Sequence, residues 1–340
     1  MTQILIASYL EPECVDQIRA AATDIDVAYV PELLPRPRYR CDHIGSALEL
    51  TDADSRRWSD LLGSAEVMFD FDWHQPALMA TRCPELRWVQ ATSAGIGDVV
   101  EGSKLGETPV MITTAAGVHP GPLTEFVIGG LLHLVRDFPR LERDKAARRW
   151  ERFAGEELAG RSALVIGTGS VGRRVGLGLH HLGVSVTGIG RRYRPELPEG
   201  FSSVVAASDL DATLPTTDLL VICCPLTEQT RGMIGEKQLA LMPEGAVVTN
   251  IGRGPVIDED ALLASLQSGH LRGAVLDVFT REPLPEDSAF WTLPNVVVSP
   301  HSASTVSGEN ARLTELFIEN LLRYRAGEPL INRYESAHGY

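Results

Sequence analysis

The chain has no excess of positive charge, no long apolar run and no paired cysteines, and each absence excludes a class of protein. Lysine and arginine number 31 against 45 aspartates and glutamates, a formal net charge of −14 over 340 residues. Nucleic acids and anionic membranes both need a basic surface, so neither is expected as a partner. The longest apolar run, Val127–Val135, is far too short to span a bilayer. Five cysteines, an odd count without paired spacing, suggest reduced thiols in a cytoplasmic protein. The neighbours Cys223 and Cys224 end an apolar run and read as core. No basic leader opens the chain, so no signal peptide is expected. The nine histidines form no ligand cluster, and no metal is expected. There is no solenoid-length repeat and no low-complexity segment.

What is present is an alternation of short apolar runs and segments of helical length, the pattern of α/β folds with parallel sheets. The length exceeds one ordinary core and implies two domains. Gln3–Ala7, Asp26–Val30, Val67–Phe71, Trp88–Ala91 and Val110–Thr113 read as strands of a first lobe. Glu32–Ser55, with Pro31, Pro35 and Pro37 among arginines, reads as an extended excursion over the surface or over a cleft. The loops Phe71–Trp73 and Ser93–Gly97 follow strand ends, where open α/β sheets hold ligands. Trp73 could line a site or pack, and His74 could line it or lie on the surface. A long helical pattern begins near Pro122 and should kink or divide at Pro139. Further strands are read at Ser185–Ile189, Leu219–Cys223, Ala246–Asn250, Gly273–Leu276 and Val296–Ser299, with a final amphipathic helix at Val306–Ala326.

The most informative stretch is Ser162–Gly172. A short apolar run ends in Gly167, Thr168, Gly169, Ser170, Val171 and Gly172, the G-x-G-x-x-G spacing, and a helical pattern follows. The first glycine permits the tight turn, the second lets a pyrophosphate approach the backbone, and the third lets helix and strand pack closely. The helix N-terminus offers free N–H groups and partial positive charge to the phosphates. Selectivity for an unphosphorylated ribose normally needs a carboxylate about 20 residues further on. Here Ser185–Gly190 is followed by Arg191, Arg192 and Arg194, and no acid occurs before Glu196. Guanidinium groups suit a 2′-phosphate, so NADP(H) is expected, with NAD(H) possible.

Three charged residues then follow strand ends: Arg253 within Asn250–Asp258, Glu282 within Asp277–Leu284, and His301 after Ser299 and Pro300. Reduction of a 2-oxo acid needs a hydride donor, a cation for the carboxylate and carbonyl, and an acid for the new alkoxide. Arg253 suits the cation because its planar fork grips two oxygens. His301 suits the acid, and Glu282 would hold one imidazole nitrogen and stabilise imidazolium. Singly, each would read as an ordinary structural histidine or surface charge; three after a dinucleotide loop form a catalytic set.

With Cys224–Thr227, these motifs make the chain resemble the D-isomer-specific 2-hydroxyacid dehydrogenase family, and most closely its glyoxylate/hydroxypyruvate reductases. The resemblance implies two Rossmann-like or flavodoxin-like lobes with the active site in the interdomain cleft. It implies a discontinuous substrate domain, 1–118 plus 302–340, and a dinucleotide-binding domain at 119–301. It implies a homodimer and a small 2-oxo or 2-hydroxy acid as the partner molecule. By the same match, the backbone of Ala94, Gly95 and Ile96 would bind the substrate carboxylate. Asp277 would lie near the nicotinamide, and Cys224, Pro225, Thr230 and Ile251 would line the cofactor side. Glu282 stands where the family's formate dehydrogenases have Gln, which disfavours formate. Alternatives are an NAD-dependent D-2-hydroxyacid or D-3-phosphoglycerate dehydrogenase and, more remotely, a dinucleotide-sensing corepressor.

Overall fold

The computed structural model describes residues 3–190 and 196–335. The chain forms two compact units, Met1–Val118 with Thr305–Tyr340, and His119–Ser304. Each is built on one sheet in which all strand pairs are parallel. Among the described residues, no helix is long and apolar enough to cross a membrane.

The first unit contains β1 (Gln3–Ile6), β2 (Asp26–Ala28), β3 (Val67–Phe69), β4 (Trp88–Gln90) and β5 (Met111–Thr113), in the order β2-β1-β3-β4-β5. Apart from the half-exposed edge strand β2, its strands are short, largely apolar runs buried on both faces, as parallel sheets require. One face packs against Trp58 and Leu62 of the helix Asp52–Ser64. The other packs against the helices Pro12–Ala21 and Glu309–Ala326. There Phe317 stacks on Trp88 at 5.1 Å between centroids and meets Phe69 edge-on at 5.4 Å.

The second unit contains β6 (Ser162–Ile166), β7 (Ser185–Ile189), β8 (Ser203–Val205), β9 (Leu219–Ile222), β10 (Ala246–Asn250), β11 (Leu271–Leu276) and β12 (Val296–Val298). Their order is β12-β11-β10-β9-β6-β7-β8, so the direction of winding reverses between β6 and β9. Central β9 shows the logic of the unit. Leu220 and Ile222 face one apolar cluster, while Leu219 and Val221 face the other. All four are fully buried.

Several elements differ from the sequence reading. The excursion ends at Thr51, whose hydroxyl accepts the Asp54 N–H at 3.2 Å and caps the helix Asp52–Ser64. Asp52 and Asp54 in the first turn favour that helix electrostatically, but its two buried residues, Trp58 and Leu62, leave little apolar periodicity to read. The long helix divides before Pro139, not at it. Pro120–Val135 ends and Phe138–Ala146 begins at Asp137, which takes φ +54° and caps the second helix. Pro139 sits in that first turn, where no N–H is needed. Strand β8, a half-buried edge of three residues, escaped notice. The final helix starts at Glu309, after the expected Val306.

Within the excursion, Asp42 is a hub. Its carboxylate accepts from Arg38 N at 2.9 Å, Arg38 Nε at 2.7 Å, Arg38 Nη2 at 3.0 Å and Gly45 N at 3.1 Å. Burial alone would raise the Asp42 carboxyl, but these hydrogen bonds outweigh it and hold it at about 2, below its usual 3.8. A carboxyl depressed by folding stabilises the fold fully above its unfolded value and loses that contribution as pH falls through the folded value. The stability of the wild type should therefore decline between about pH 4 and pH 2. In Asp42→Asn that acid limb should flatten and stability at neutral pH should be lower, as denaturant unfolding across pH would show.

Candidate active site

The carboxyl ends of the second sheet build the site. At the winding reversal, β6 runs into Gly167, which takes φ +102° and donates its N–H to the Ile189 carbonyl at 2.8 Å. A Cβ on Gly172 would lie 1.8 Å from the Gly167 carbonyl oxygen, so the third glycine is required by helix–strand packing. Gly169 is different: a Cβ there would meet no protein atom within 4 Å. The space beside it is open to a ligand, and the helix Ser170–His181 starts there with no side-chain cap. Thr168 follows Gly167, while Ser170 and Val171 open the helix, so the N–H groups of that first turn are available to an anion. This cradle fits a dinucleotide pyrophosphate.

Beside it, β9 ends at Ile222 and runs into Cys223 and Cys224, whose backbone lies 2.9–3.0 Å from where a Gly167 Cβ would stand. Burial pushes the Cys224 thiol up to about 11, which makes it a packing group. Pro225 begins a turn that Thr230 staples: the Thr230 hydroxyl donates to the Pro225 carbonyl at 2.8 Å and accepts from Thr227 N at 2.7 Å. The Thr230 side chain thus serves the turn.

The next strand, β10, delivers buried Ile251, Gly252 and exposed Arg253. Asn250 closes this turn by accepting from Gly252 N at 3.0 Å and donating to the Arg253 carbonyl at 3.0 Å. Both flanking glycines are needed. A Cβ on Gly252 would lie 2.7 Å from the Cys224 carbonyl oxygen, and one on Gly254 would lie 2.0 Å from the Phe279 carbonyl carbon. The Arg253 Nη1 donates to the Gly252 carbonyl at 2.7 Å, so the turn orients its own guanidinium.

Glu282 and His301 meet after β11 and β12. His301 Nδ1 and Glu282 Oε2 are 2.8 Å apart, with the side chains 47% and 37% exposed. Glu282 Oε1 accepts from Phe279 N at 2.9 Å, which anchors the carboxylate. His301 takes φ +55°, and its N–H donates to the Asp277 carbonyl at 2.9 Å. The turn is held by one oxygen of buried Asp277. Its Oδ1 accepts from Ser299 Oγ at 2.6 Å, Ser302 N at 2.8 Å and Ala303 N at 2.9 Å. Sequence reasoning missed this role and those of Asn250 and Ser299. The Asn-x-Gly spacing of Asn250 and Gly252 is the available signal for one of them.

In the first unit, exposed Ala94 and Gly95 and buried Ile96 follow β4. Trp73 and His74 are both tied down: Trp73 Nε1 donates to Asp70 at 2.8 Å, and His74 Nε2 lies 2.7 Å from the Leu33 carbonyl. Arg191 and Arg192 lie outside the described residues.

Replacing Asp277 with Ala would leave three donors without their acceptor, at a cost of roughly 3 kcal/mol in unfolding free energy. Asp277→Asn, which keeps an acceptor oxygen, should recover a substantial part. Urea unfolding of the three proteins would measure both.

Comparison with known proteins agrees with this geometry. Residues 128–303, more than half of the chain, match the family model described as the NAD binding domain of D-isomer specific 2-hydroxyacid dehydrogenase. A glyoxylate/hydroxypyruvate reductase B of Citrobacter koseri is 34% identical over 272 residues, covering 77% of this chain and 80% of that protein. A D-isomer specific 2-hydroxyacid dehydrogenase of Xanthobacter autotrophicus, solved with NADPH and MES, superposes with TM-score 0.78 at 29% identity. The match covers 100% of this chain and 99% of that one. The NADPH-dependent glyoxylate/hydroxypyruvate reductase of Sinorhizobium meliloti, solved with NADP and sulfate, gives 0.77 at 26% identity with 100% of both chains covered. The chain belongs to the D-isomer specific 2-hydroxyacid dehydrogenase family and is an oxidoreductase acting on CH–OH donors.

Proposed function

We propose that this enzyme reduces small 2-oxo acids of the glyoxylate and hydroxypyruvate type to D-2-hydroxy acids with NADPH. The observation that carries the reading is the 2.8 Å pairing of His301 with Glu282, on turns at the same sheet edge as the glycine loop. When bound, the dinucleotide supplies a hydride. The protein's own part is to place the acid and to hold the substrate. Glu282 fixes the imidazole through Nδ1 and balances its positive charge, which leaves Nε2 to give a proton to the carbonyl oxygen as charge develops there. Arg253 offers the remainder of its fork to the carboxylate and carbonyl oxygens. The backbone N–H groups of Ala94, Gly95 and Ile96 take the carboxylate. Gly167–Gly172 hold the pyrophosphate.

Cofactor choice rests on the sequence after β7, where Gly190 is followed by Arg191 and Arg192 and the first carboxylate is Glu196. The NADP and NADPH complexes of the two solved relatives support the same choice. A homodimer built on the second unit would cover Phe138, Leu141 and Trp150, the last 97% exposed.

The reading is tested by following NADPH and NADH oxidation over a panel of 2-oxo acids, with glyoxylate and hydroxypyruvate reduced fastest and NADPH preferred. Replacing both Arg191 and Arg192 with Ala should raise the KM for NADPH about tenfold or more, since hydrogen bonds to charged groups contribute roughly 1.5–3 kcal/mol each. NADH kinetics should barely change, and an equal effect on both cofactors would remove these arginines from the 2′-phosphate. Arg253→Lys keeps the charge but loses the fork. It should bind NADPH normally and show a higher KM for 2-oxo acids, and unchanged glyoxylate kinetics would take the carboxylate away from Arg253.

A further inference from the structure

Glu282 is carried by a stretch with little regular support. β11 ends at Leu276, and among the described residues 278–284 make no backbone-to-backbone hydrogen bond. Buried Phe279 anchors the start of the stretch, its ring 5.7 Å from that of Phe290. Beyond it, carboxylates do what backbone carbonyls do elsewhere. Phe279 N donates to Glu282 Oε1 at 2.9 Å, and the next amide, Thr280 N, donates to Glu259 Oε1. The two bonds differ in reach. The first joins residues three apart and moves with the turn, so it shapes the turn without locating it. The second spans 21 residues and ties the turn to another element.

That element starts where the Arg253 turn ends. Glu259 is the first residue of the helix Glu259–Gln267, whose N-cap Asp258 accepts from Asp260 N and Ala261 N at 3.1 Å each. The Asp258 N–H donates to the Ile234 carbonyl at 2.9 Å, and Ile234 N donates to the Val256 carbonyl at 3.1 Å. The stretch after Arg253 is thereby braced, and the Phe279–Thr280 peptide rests directly against its Gly254. With the Thr280 N–H on Glu259, the turn bearing Glu282 is fixed to the same frame as Arg253. Gly254 sets how closely the two turns approach, and Glu259 holds them there.

We infer that Glu259 is a positioning residue: through Thr280 it sets where Glu282, and with it the His301 imidazole, stands relative to the Arg253 guanidinium. The inference rests on the proposed reduction, in which Arg253 holds the substrate while His301 protonates it. That step depends on placement, since a misplacement of about 1 Å can cost about a hundredfold in rate. Glu259 has a plainer use as well. An acid in the first turn of a helix interacts favourably with the helix dipole, which alone would make it a residue of stability only. The two roles ask for different chemistry. The dipole needs negative charge, whereas the tether needs an acceptor oxygen at the full length of the side chain.

Glu259→Gln keeps the length and the acceptor and gives up the charge, whereas Glu259→Asp keeps the charge and is one methylene short. Glyoxylate reduction with NADPH is measured for the wild type and both variants, together with hydrogen exchange of a peptide covering residues 278–284. In Glu259→Asp, kcat for glyoxylate should fall about tenfold or more with the KM for NADPH unchanged, and the peptide should exchange faster. Glu259→Ala, which lacks the reach as well, should behave alike and stands in if the aspartate variant fails to fold. Glu259→Gln should keep kcat within about twofold of the wild type and match its exchange. A smaller fall in the short variants, or a larger one in Glu259→Gln, overturns the inference, as does exchange that is equal in the wild type and the short variants. A wild type that reduces no 2-oxo acid sinks the functional reading instead, and the exchange contrast then decides the tether by itself.

Discussion

Every strand in both sheets runs parallel to its neighbours, and that constraint decides where chemistry can sit. A parallel strand cannot return through a hairpin, so the chain crosses back over a face of the sheet before each new strand begins. Each strand then delivers its following loop to the same edge. In the second unit that edge gathers turns from Gly167 through Ala303, far apart in sequence. In the first it gathers Ser8, Asp70 and the Ser93–Ile96 loop.

At that edge, buried polar groups and half-exposed charges do different work. Asn250 and Asp277 are buried and hydrogen-bonded, and their side chains shape the turns that carry Arg253 and His301. The His301–Glu282 pair is partly open to solvent, where such pairs contribute only about 0–1 kcal/mol to stability. It engages Nδ1 of the imidazole and leaves Nε2 outside the contact with Glu282. The glycines divide in the same way: Gly167, Gly172, Gly252 and Gly254 answer to the protein's own packing, whereas Gly169 answers to empty space.

What the sequence discloses follows from range. The glycine loop is legible because strand, turn and helix are contiguous, and most strands are legible because double-sided burial demands unbroken apolar runs. Arg253, Glu282 and His301 are legible by type and by position after those runs, and the 2.8 Å contact between the last two is consistent with that reading. The helix Asp52–Ser64 was hidden because it buries so little, and the break at Asp137 because a left-handed aspartate leaves less trace than a proline. The three donors on Asp277 could not be read, because they gather around a left-handed turn at His301 that no local pattern announces.

One feature of the first unit reaches into how the protein is made. Leu313, Phe317 and Leu321 complete the apolar face formed by Ile4, Ile6, Phe69 and Trp88, yet all of His119–Ser304 is translated in between. At ordinary ribosome speeds that interval lasts roughly 10–40 s. For that time β1–β5 can assemble with one face covered only by the helix Pro12–Ala21, while the continuous second unit acquires everything its own core needs. A nascent chain stalled before Glu309 therefore carries a finished nucleotide lobe beside an adhesive half-sheet, a species that chaperones and proteases recognise. Completion of the first unit waits on the helix Glu309–Ala326.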